Sequence, residues 1–270
     1  MRVVITGASG FIGRALVDAL ATDGNAEAVA VARGPLPTHP NVECVRVENY
    51  ASAPGGDALV HLAEDPIVSA PMQFGDLNLL EALLDGRYRR AVYGSSQLLY
   101  GDATDRPHDP SEPVVPFSPY VKRKRRGEER VLATGGAVAR FANVYGPGMT
   151  EGTVISDILA QVPGAGPVSV GNGDAVRDFV WIGDVAAGLA AMAQGTAAGI
   201  FNLGTGIGTS VRDLARLALE LAGESSRPVV SRSCGSSAIV VDAGGTTAAF
   251  GWNPQVPLAE GLAQMMEIAK

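Results

Sequence analysis

Only two cysteines and three histidines occur among the 270 residues. Cys44 and Cys234 stand far apart, each among apolar or small residues, so neither a disulfide framework nor a thiolate metal site is indicated, and a reducing compartment suits the chain. His39, His61 and His108 do not fall at ligand spacing with carboxylates, which gives no basis for zinc or a two-metal centre; no metal is expected. No apolar run approaches the roughly 20 residues that cross a bilayer. The first apolar strand begins at Val3, leaving no room for a charged, apolar and cleavable leader. The expectation is a soluble cytoplasmic protein without a membrane partner. Positive charge is also scarce. The formal net charge is −7, and because nucleic-acid affinity rests on clustered Lys and Arg, no nucleic-acid partner is expected. The one basic run, Lys122-Arg123-Lys124-Arg125-Arg126, reads as the solvated side of a helix with one member turned inward.

What is abundant is apolar and small. Hydrophobic residues make up 46% of the chain, enough for a substantial core in one large domain or in one domain with a smaller appendage. Short apolar runs bounded by turn residues recur at 3–5, 28–32, 44–47, 58–62, 91–93 and 138–141. They are continuous in Val, Ala and Leu rather than alternating with polar residues, the mark of strands buried on both faces of a parallel sheet. A doubly wound α/β fold follows. Breaker-rich stretches at Gly146-Pro147-Gly148 and Pro163-Gly164-Ala165-Gly166-Pro167 leave this pattern, and Gly204 to Gly208 precedes a helix beginning near Ser210. The expected division is a dinucleotide-binding part over 1–145 and 176–203, with a smaller substrate-binding cap over 146–175 and 204–270. No internal repeat is visible.

The opening segment carries the strongest chemical signal. Val3-Val4-Ile5 runs into Thr6-Gly7-Ala8-Ser9-Gly10-Phe11-Ile12-Gly13, three glycines at three-residue spacing between a strand and a helix. Gly7 permits the sharp turn, Gly10 carries no Cβ where a pyrophosphate approaches, and Gly13 lets the helix press on the sheet. The amides at that helix start face the anion. Ile12, Leu16 and Leu20 recur at helical spacing on the covering face.

Tyr120 and Lys124 lie four apart, hence on one face of a helix, and Pro119 suits that helix's first position. A tyrosine hydroxyl ordinarily titrates near a pH of about 10, too high for a base at neutrality; a neighbouring ammonium favours the phenolate. The alternative is a packed ring beside a solvated amine. Ala91-Val92-Tyr93-Gly94 reads as a strand ending in Ser95 and Ser96, and ligands of open α/β sheets bind beyond such strand ends. A Ser96 hydroxyl there can donate to a substrate oxygen, or simply cap the chain as it leaves the sheet.

Taken together, the segments TGASGFIG at 6–13, HLAE at 61–64, SSQLLYG at 95–101, SPYVKRK at 118–124, RFANVYGPG at 140–148, RDFVWIGDVA at 177–186, NLGTG at 202–206 and FGWNP at 250–254 resemble an extended short-chain dehydrogenase/reductase of the NAD-dependent epimerase/dehydratase type. The resemblance implies a Rossmann fold and a catalytic set of Ser96, Tyr120 and Lys124. It implies cofactor contacts from Gly7, Ser9, Gly10, Phe11, Ile12, Gly13, Leu62 and Ala63, joined by Tyr120 and Lys124. On the substrate side, Ser96, Gln97, Asn143 and Arg177 match positions that hold a nucleoside diphosphate sugar. A guanidinium fork suits phosphate oxygens, although Arg177 could instead pair internally with Asp178 or Asp174. Members of the family often pair through the helices flanking the serine and tyrosine segments, so the resemblance allows a homodimer.

Departures from the family pattern shape the expected reaction. Members that use NAD usually close the second strand with an acidic residue, whereas this strand ends Val31-Ala32-Arg33-Gly34. Arg33 would attract a ribose 2′-phosphate, so NADP is preferred over NAD as cofactor; the alternative is a solvent-facing Arg33 with a carboxylate supplied by Glu48. Gln97-Leu98 stands where sugar 4,6-dehydratases carry an acid pair, which disfavours dehydration. The stretch between His61 and Leu79 is short, and Met72 replaces an asparagine. The first expectation is therefore NADPH-dependent reduction of a nucleotide-activated keto-sugar. Beside it stand an epimerase that oxidises and re-reduces one carbon with tightly held NAD, and a non-catalytic dinucleotide sensor, against which an intact Ser96, Tyr120 and Lys124 set argues.

Overall fold

The structure, a computed structural model, describes residues 1–36, 39–64, 74–102, 106–114 and 117–268. In chain order these form β1 (Arg2–Thr6), α1 (Phe11–Asp23), β2 (Glu27–Ala32), β3 (Val42–Arg46), β4 (Ala58–His61), α2 (Phe74–Leu83), β5 (Arg90–Ser96), α3 (Pro119–Ala133), β6 (Ala137–Phe141) and β7 (Asn143–Tyr145). There follow α4 (Val154–Leu159), β8 (Val168–Asn172), β9 (Val176–Trp181), α5 (Ile182–Gln194), β10 (Gly199–Leu203) and β11 (Gly208–Ser210). The chain closes with α6 (Val211–Leu221), β12 (Val229–Ser233), β13 (Ala238–Ile239), α7 (Gly244–Phe250) and α8 (Leu258–Ile268).

Seven strands pair in parallel in the order β10-β6-β5-β4-β1-β2-β3. The order in which strands are added reverses between β1 and β4, so the carboxyl ends of these two strands bound the crevice where a doubly wound sheet binds its ligand. Leu16 and Leu20 of α1 join Val185, Leu189 and Met192 of α5 over one face. Leu80 and Leu83 of α2 and Val131 of α3 pack on the other. The fold is thus a doubly wound parallel Rossmann sheet, and β1, β2, β4, β5 and β6 are buried along nearly their whole length.

β3 departs from the expected burial. Among the described residues it pairs only with β2, and Glu43, Cys44 and Arg46 are exposed. An edge strand has one neighbour and little cover, and charge there blocks pairing with another chain; Arg2 reaches across to ion-pair with Glu27 and Glu43.

The smaller part is built on β9, which pairs with β7, β11 and β13, while β8 and β12 form a separate parallel pair. Its core gathers Tyr145, Ile155, Phe179, Leu214, Ala218 and Leu262 from β7, α4, β9, α6 and α8. Within the range 176–203 expected for the larger part, α5 and β10 lie with the seven-stranded sheet, but β9 hydrogen-bonds in the smaller one. Ser210 caps α6 by accepting from the Asp213 amide at 3.0 Å.

Two polar residues pin the parts together. Asp178 of β9 accepts from the amides of Thr205 at 2.9 Å and Gly206 at 3.0 Å and from the Thr205 hydroxyl at 2.6 Å. Asn202 of β10 donates to the carbonyls of His108 at 3.0 Å and Asp242 at 2.9 Å. A Cβ on Gly204 would fall 2.6 Å from Asp178 Oδ2, so the glycine makes this joint possible.

Candidate active site

At the carboxyl end of β1 the chain turns at Gly7, whose φ is +77°, and the Gly10 amide donates to the Gly7 carbonyl at 2.9 Å. A Cβ on Gly13 would lie 2.2 Å from that same carbonyl, and one on Gly7 2.8 Å from the Ala63 amide. Leu62 and Ala63 therefore back the glycine turn directly, with the Leu62 amide donating to the Thr6 carbonyl at 3.1 Å. Among the described residues no side chain caps α1 at Gly10, and no acid occupies its first turn. By contrast, Ser118, Thr153 and Ser210 cap α3, α4 and α6. A glycine-lined helix start with open amides fits the pyrophosphate of a dinucleotide. Ser9 and Phe11 flank this start, and Ile12 packs inward against the core.

α3 starts as its sequence predicts, with Pro119 at its first position and Ser118 accepting from the Val121 amide at 3.2 Å. The basic run supplies two inward members rather than one: Arg123 is 1% and Lys124 9% exposed, whereas Lys122 and Arg126 face solvent. Helical periodicity explains the difference, because the inward face takes in Tyr120, Arg123, Lys124 and Gly127 together. Lys124 Nζ donates to the Gly94 carbonyl of β5 at 2.7 Å and lies 6.0 Å from the centre of the Tyr120 ring. Tyr120 itself is half-buried, open at the rim.

Ser96 ends β5, two residues beyond Gly94, and its hydroxyl accepts from the Leu98 amide at 3.2 Å. It caps the 3-10 turn Gln97–Leu99 and remains half-buried, so the capping reading and a place at the strand end are both realised. Gln97 is 2% exposed, and its Oε1 accepts nothing from the described residues. Asn143 donates to the Asp178 carbonyl at 3.1 Å from β7.

Arg177 pairs with neither Asp174 nor Asp178. Its guanidinium donates to the carbonyls of Val176 at 2.8 Å and Ser237 at 3.1 Å and to the Ser237 hydroxyl at 2.7 Å, with Asp102 at 3.9 Å. Asp174 pairs with Arg212, and Asp178 is occupied by the backbone joint. Burial outweighs those bonds and raises the Asp178 carboxyl above its ordinary value. Arg33 is exposed at the end of β2 and stacks 5.4 Å above the Tyr50 ring; Glu48 is also exposed, in the turn after β3. Met72 lies outside the described residues.

A profile of the NAD dependent epimerase/dehydratase family matches residues 3–204. The chain belongs to the NAD-dependent epimerase/dehydratase family. Among curated relatives of this family, UDP-glucose 4-epimerase of Mycolicibacterium smegmatis is 30% identical over 316 aligned positions, covering 99% of this chain and 98% of that one. dTDP-glucose 4,6-dehydratase of Streptomyces griseus is 29% identical, covering 97% and 92%. Among solved structures, MoeE5 in complex with UDP-glucuronic acid and NAD superposes with a TM-score of 0.85 at 28% identity, covering 100% and 99%. Thermus thermophilus UDP-glucose 4-epimerase in complex with NAD gives 0.82 at 26%, covering 99% and 98%.

The family motifs left one part of the site unread. Glu64, the last residue of the HLAE segment, sits 2.7 Å from Lys124 Nζ and accepts from the Tyr93 hydroxyl. Burial pushes its carboxyl up, but the Lys124 ammonium and the Tyr93 bond outweigh it and leave the group below the usual carboxylate range. The Tyr93 phenol is held well above its ordinary value by burial and by Glu64, which keeps it a donor. A carboxylate three residues after a buried strand was the available signal, since a charge held close to the core needs a partner.

Proposed function

We propose that this protein is a nucleotide-sugar epimerase that oxidises and re-reduces one ring carbon with tightly held NAD. The observation that carries the reading is the Tyr120 and Lys124 pair, presented on one face of α3 with Lys124 anchored on the Gly94 carbonyl of β5, in a chain 30% identical along nearly its whole length to a UDP-glucose 4-epimerase. The relatives and the NAD-bound neighbours favour this over the keto-sugar reduction that Arg33 first suggested.

NAD, when bound, supplies a hydride acceptor that can return the hydride to the same carbon. Tyr120 takes the proton of the sugar hydroxyl as the carbon is oxidised and gives it back on re-reduction. Ser96 donates to the same oxygen and steadies it as a carbonyl. Lys124 orients the cofactor ribose from beneath Tyr120. Arg177 offers its fork to the diphosphate by exchanging its bond to the Ser237 hydroxyl. Asn143 and the Gln97 carbonyl oxygen, which is buried and without a donor, face the sugar. The glycine turn with Leu62 and Ala63 holds the cofactor.

NADP remains the second reading of the cofactor, favoured by the exposed Arg33 at the strand end and the lack of an acid there. One experiment separates the two. Protein purified without added cofactor is dialysed and denatured, the released nucleotide is identified, and native protein is incubated with UDP-glucose alone. The epimerase reading expects released NAD and formation of the 4-epimer without added cofactor. Release of no NAD, with NADPH consumed one for one when a nucleotide-linked keto-sugar is supplied, refutes it and restores keto-sugar reduction.

A further inference from the structure

Lys124 has a carboxylate partner that its role beneath Tyr120 does not itself require. Glu64 lies three residues beyond the end of β4, and its side chain is 12% exposed. One oxygen stands 2.7 Å from Lys124 Nζ, and the other accepts from the Tyr93 hydroxyl. The hydroxyl of Tyr93 occupies space that only a glycine at 127 leaves open, since a Cβ there would lie 2.3 Å from it. Tyr93 of β5 and Lys124 of α3 thus hold the carboxylate between them. Among the described residues, the titratable groups facing this pair are Tyr120 and Arg123 from α3, Tyr93 from β5 and His61 from β4. Arg123 Nε lies 3.9 Å from Glu64, its guanidinium is 5.5 Å from the centre of the Tyr120 ring, and His61 is neutral near pH 7. Glu128 and Arg140 pair with each other behind Tyr93.

We propose that Glu64 is a positioning residue that clamps Lys124 and, by balancing its ammonium, sets the pH at which Tyr120 changes between proton donor and proton acceptor. The inference rests on the part given to Tyr120 above, but not on the identity of the substrate. A lone ammonium beside a phenol favours the phenolate. A carboxylate ion-paired with that ammonium at 2.7 Å leaves a pair of little net charge and cancels much of the effect. Clamping also holds Nζ in place beside the Gly94 carbonyl to which it donates.

The test is a spectroscopic titration of NAD-saturated protein, following ultraviolet phenolate absorbance, with Tyr120→Phe as the reference that assigns the Tyr120 signal. Glu64→Gln keeps the shape and an oxygen for Tyr93 while removing the charge. It is expected to move the Tyr120 midpoint to lower pH by about one unit, the scale on which a neighbouring charge acts. Glu64→Asp draws the carboxylate back by one methylene and should move the midpoint the same way by less; it carries the test if the Gln variant does not fold. An unmoved midpoint in the folded variants, or one displaced to higher pH, overturns the proposal. Because no substrate is used, a chain that titrates as expected yet leaves UDP-glucose unchanged refutes only the proposed reaction.

Discussion

Glu128 and Arg140 face each other across the α3–β6 contact through two parallel hydrogen bonds of 2.8 and 2.7 Å, with both side chains wholly excluded from solvent. The Ser95 hydroxyl adds a third bond to Glu128 at 2.6 Å, and the Arg140 guanidinium lies 4.7 Å over the Tyr100 ring. The pair ties the helix that bears Tyr120 and Lys124 to the strand beside β5. Replacing Glu128 by Gln strands a buried guanidinium, an imbalance that costs about 3–5 kcal/mol. Urea unfolding should show a midpoint lowered to match, and a change under about 1 kcal/mol would mean that the pair is not buried as described.

Removal of the Tyr120 hydroxyl is a chemical rather than a structural change. Tyr120→Phe is expected to lower turnover by about 10²- to 10⁴-fold, the usual contribution of a positioned acid or base, while the dissociation constant for NAD stays within about twofold. Steady-state kinetics and calorimetric titration read the two separately. A variant that turns over at the native rate removes Tyr120 from the chemistry.

The turn after β1 admits no side chain at its third glycine. Gly13→Ala places a methyl 2.2 Å from the Gly7 carbonyl, and overpacking of this kind costs about 1–3 kcal/mol. Both the denaturation midpoint and the affinity for NAD should fall, because the displaced carbonyl belongs to the loop proposed to hold the pyrophosphate. Gly24→Ala is the control: its Cβ meets nothing within 4 Å, although its φ of +68° still carries a strain cost.

His61 gives the fold a pH dependence of predictable sign. Burial, with a further push from Lys124, lowers its imidazole to about 4 against Glu64, and the ring is bonded to the Thr6 hydroxyl at 2.7 Å. In the unfolded chain it takes up a proton near its ordinary value of about 6.5. Between those limits the unfolded state binds more protons, so stability falls as the pH drops from about 6.5 to 4, by an amount on the order of 3 kcal/mol, and is unaffected by this group above that window. Unfolding midpoints of the native chain and of His61→Gln at pH 7 and pH 4.5 test it. The variant should lose part of the acid slope, and equal slopes would refute the assignment.

Arg33 offers a direct reading of cofactor choice. Ala32 is fully buried, so the residue at this strand end that meets solvent is Arg33. If the guanidinium engages a 2′-phosphate, Arg33→Ala weakens NADP by about tenfold or more, equivalent to roughly 1.4 kcal/mol, and leaves NAD nearly unchanged. Equal changes for both nucleotides would place Arg33 outside the ribose site.

What could be read from the sequence was local. The strand, glycine turn and helix of residues 2–23, the six apolar runs that became β1 to β6, and the Ser118-Pro119 start of α3 each depend on a pattern a few residues long. The helix also brings Tyr120 and Lys124 to one face by periodicity alone. Pairings across long separations left no such trace. Nothing near Arg177 announces Ser237, 60 positions away, and nothing near Glu64 announces Lys124. β9 resembles any other buried strand, and its place in the smaller sheet follows from β7, β11 and β13, which are too short to recognise in isolation. The exposure of β3 likewise reflects its edge position, a property of strand order rather than composition.

Asp178 and Asn202 have a consequence for motion. The backbone passes between the two parts at Ala142, at Trp181 and at Gly204, and it returns near Val241, whose amide again points at Asp178 from 3.4 Å. A jaw swinging on a single pivot would have to turn at all these crossings in concert and would break the Asp178 anchor as it did so. The crevice beyond β1 and β4 is thus framed by two parts laced together at several points of the chain, not hung from one.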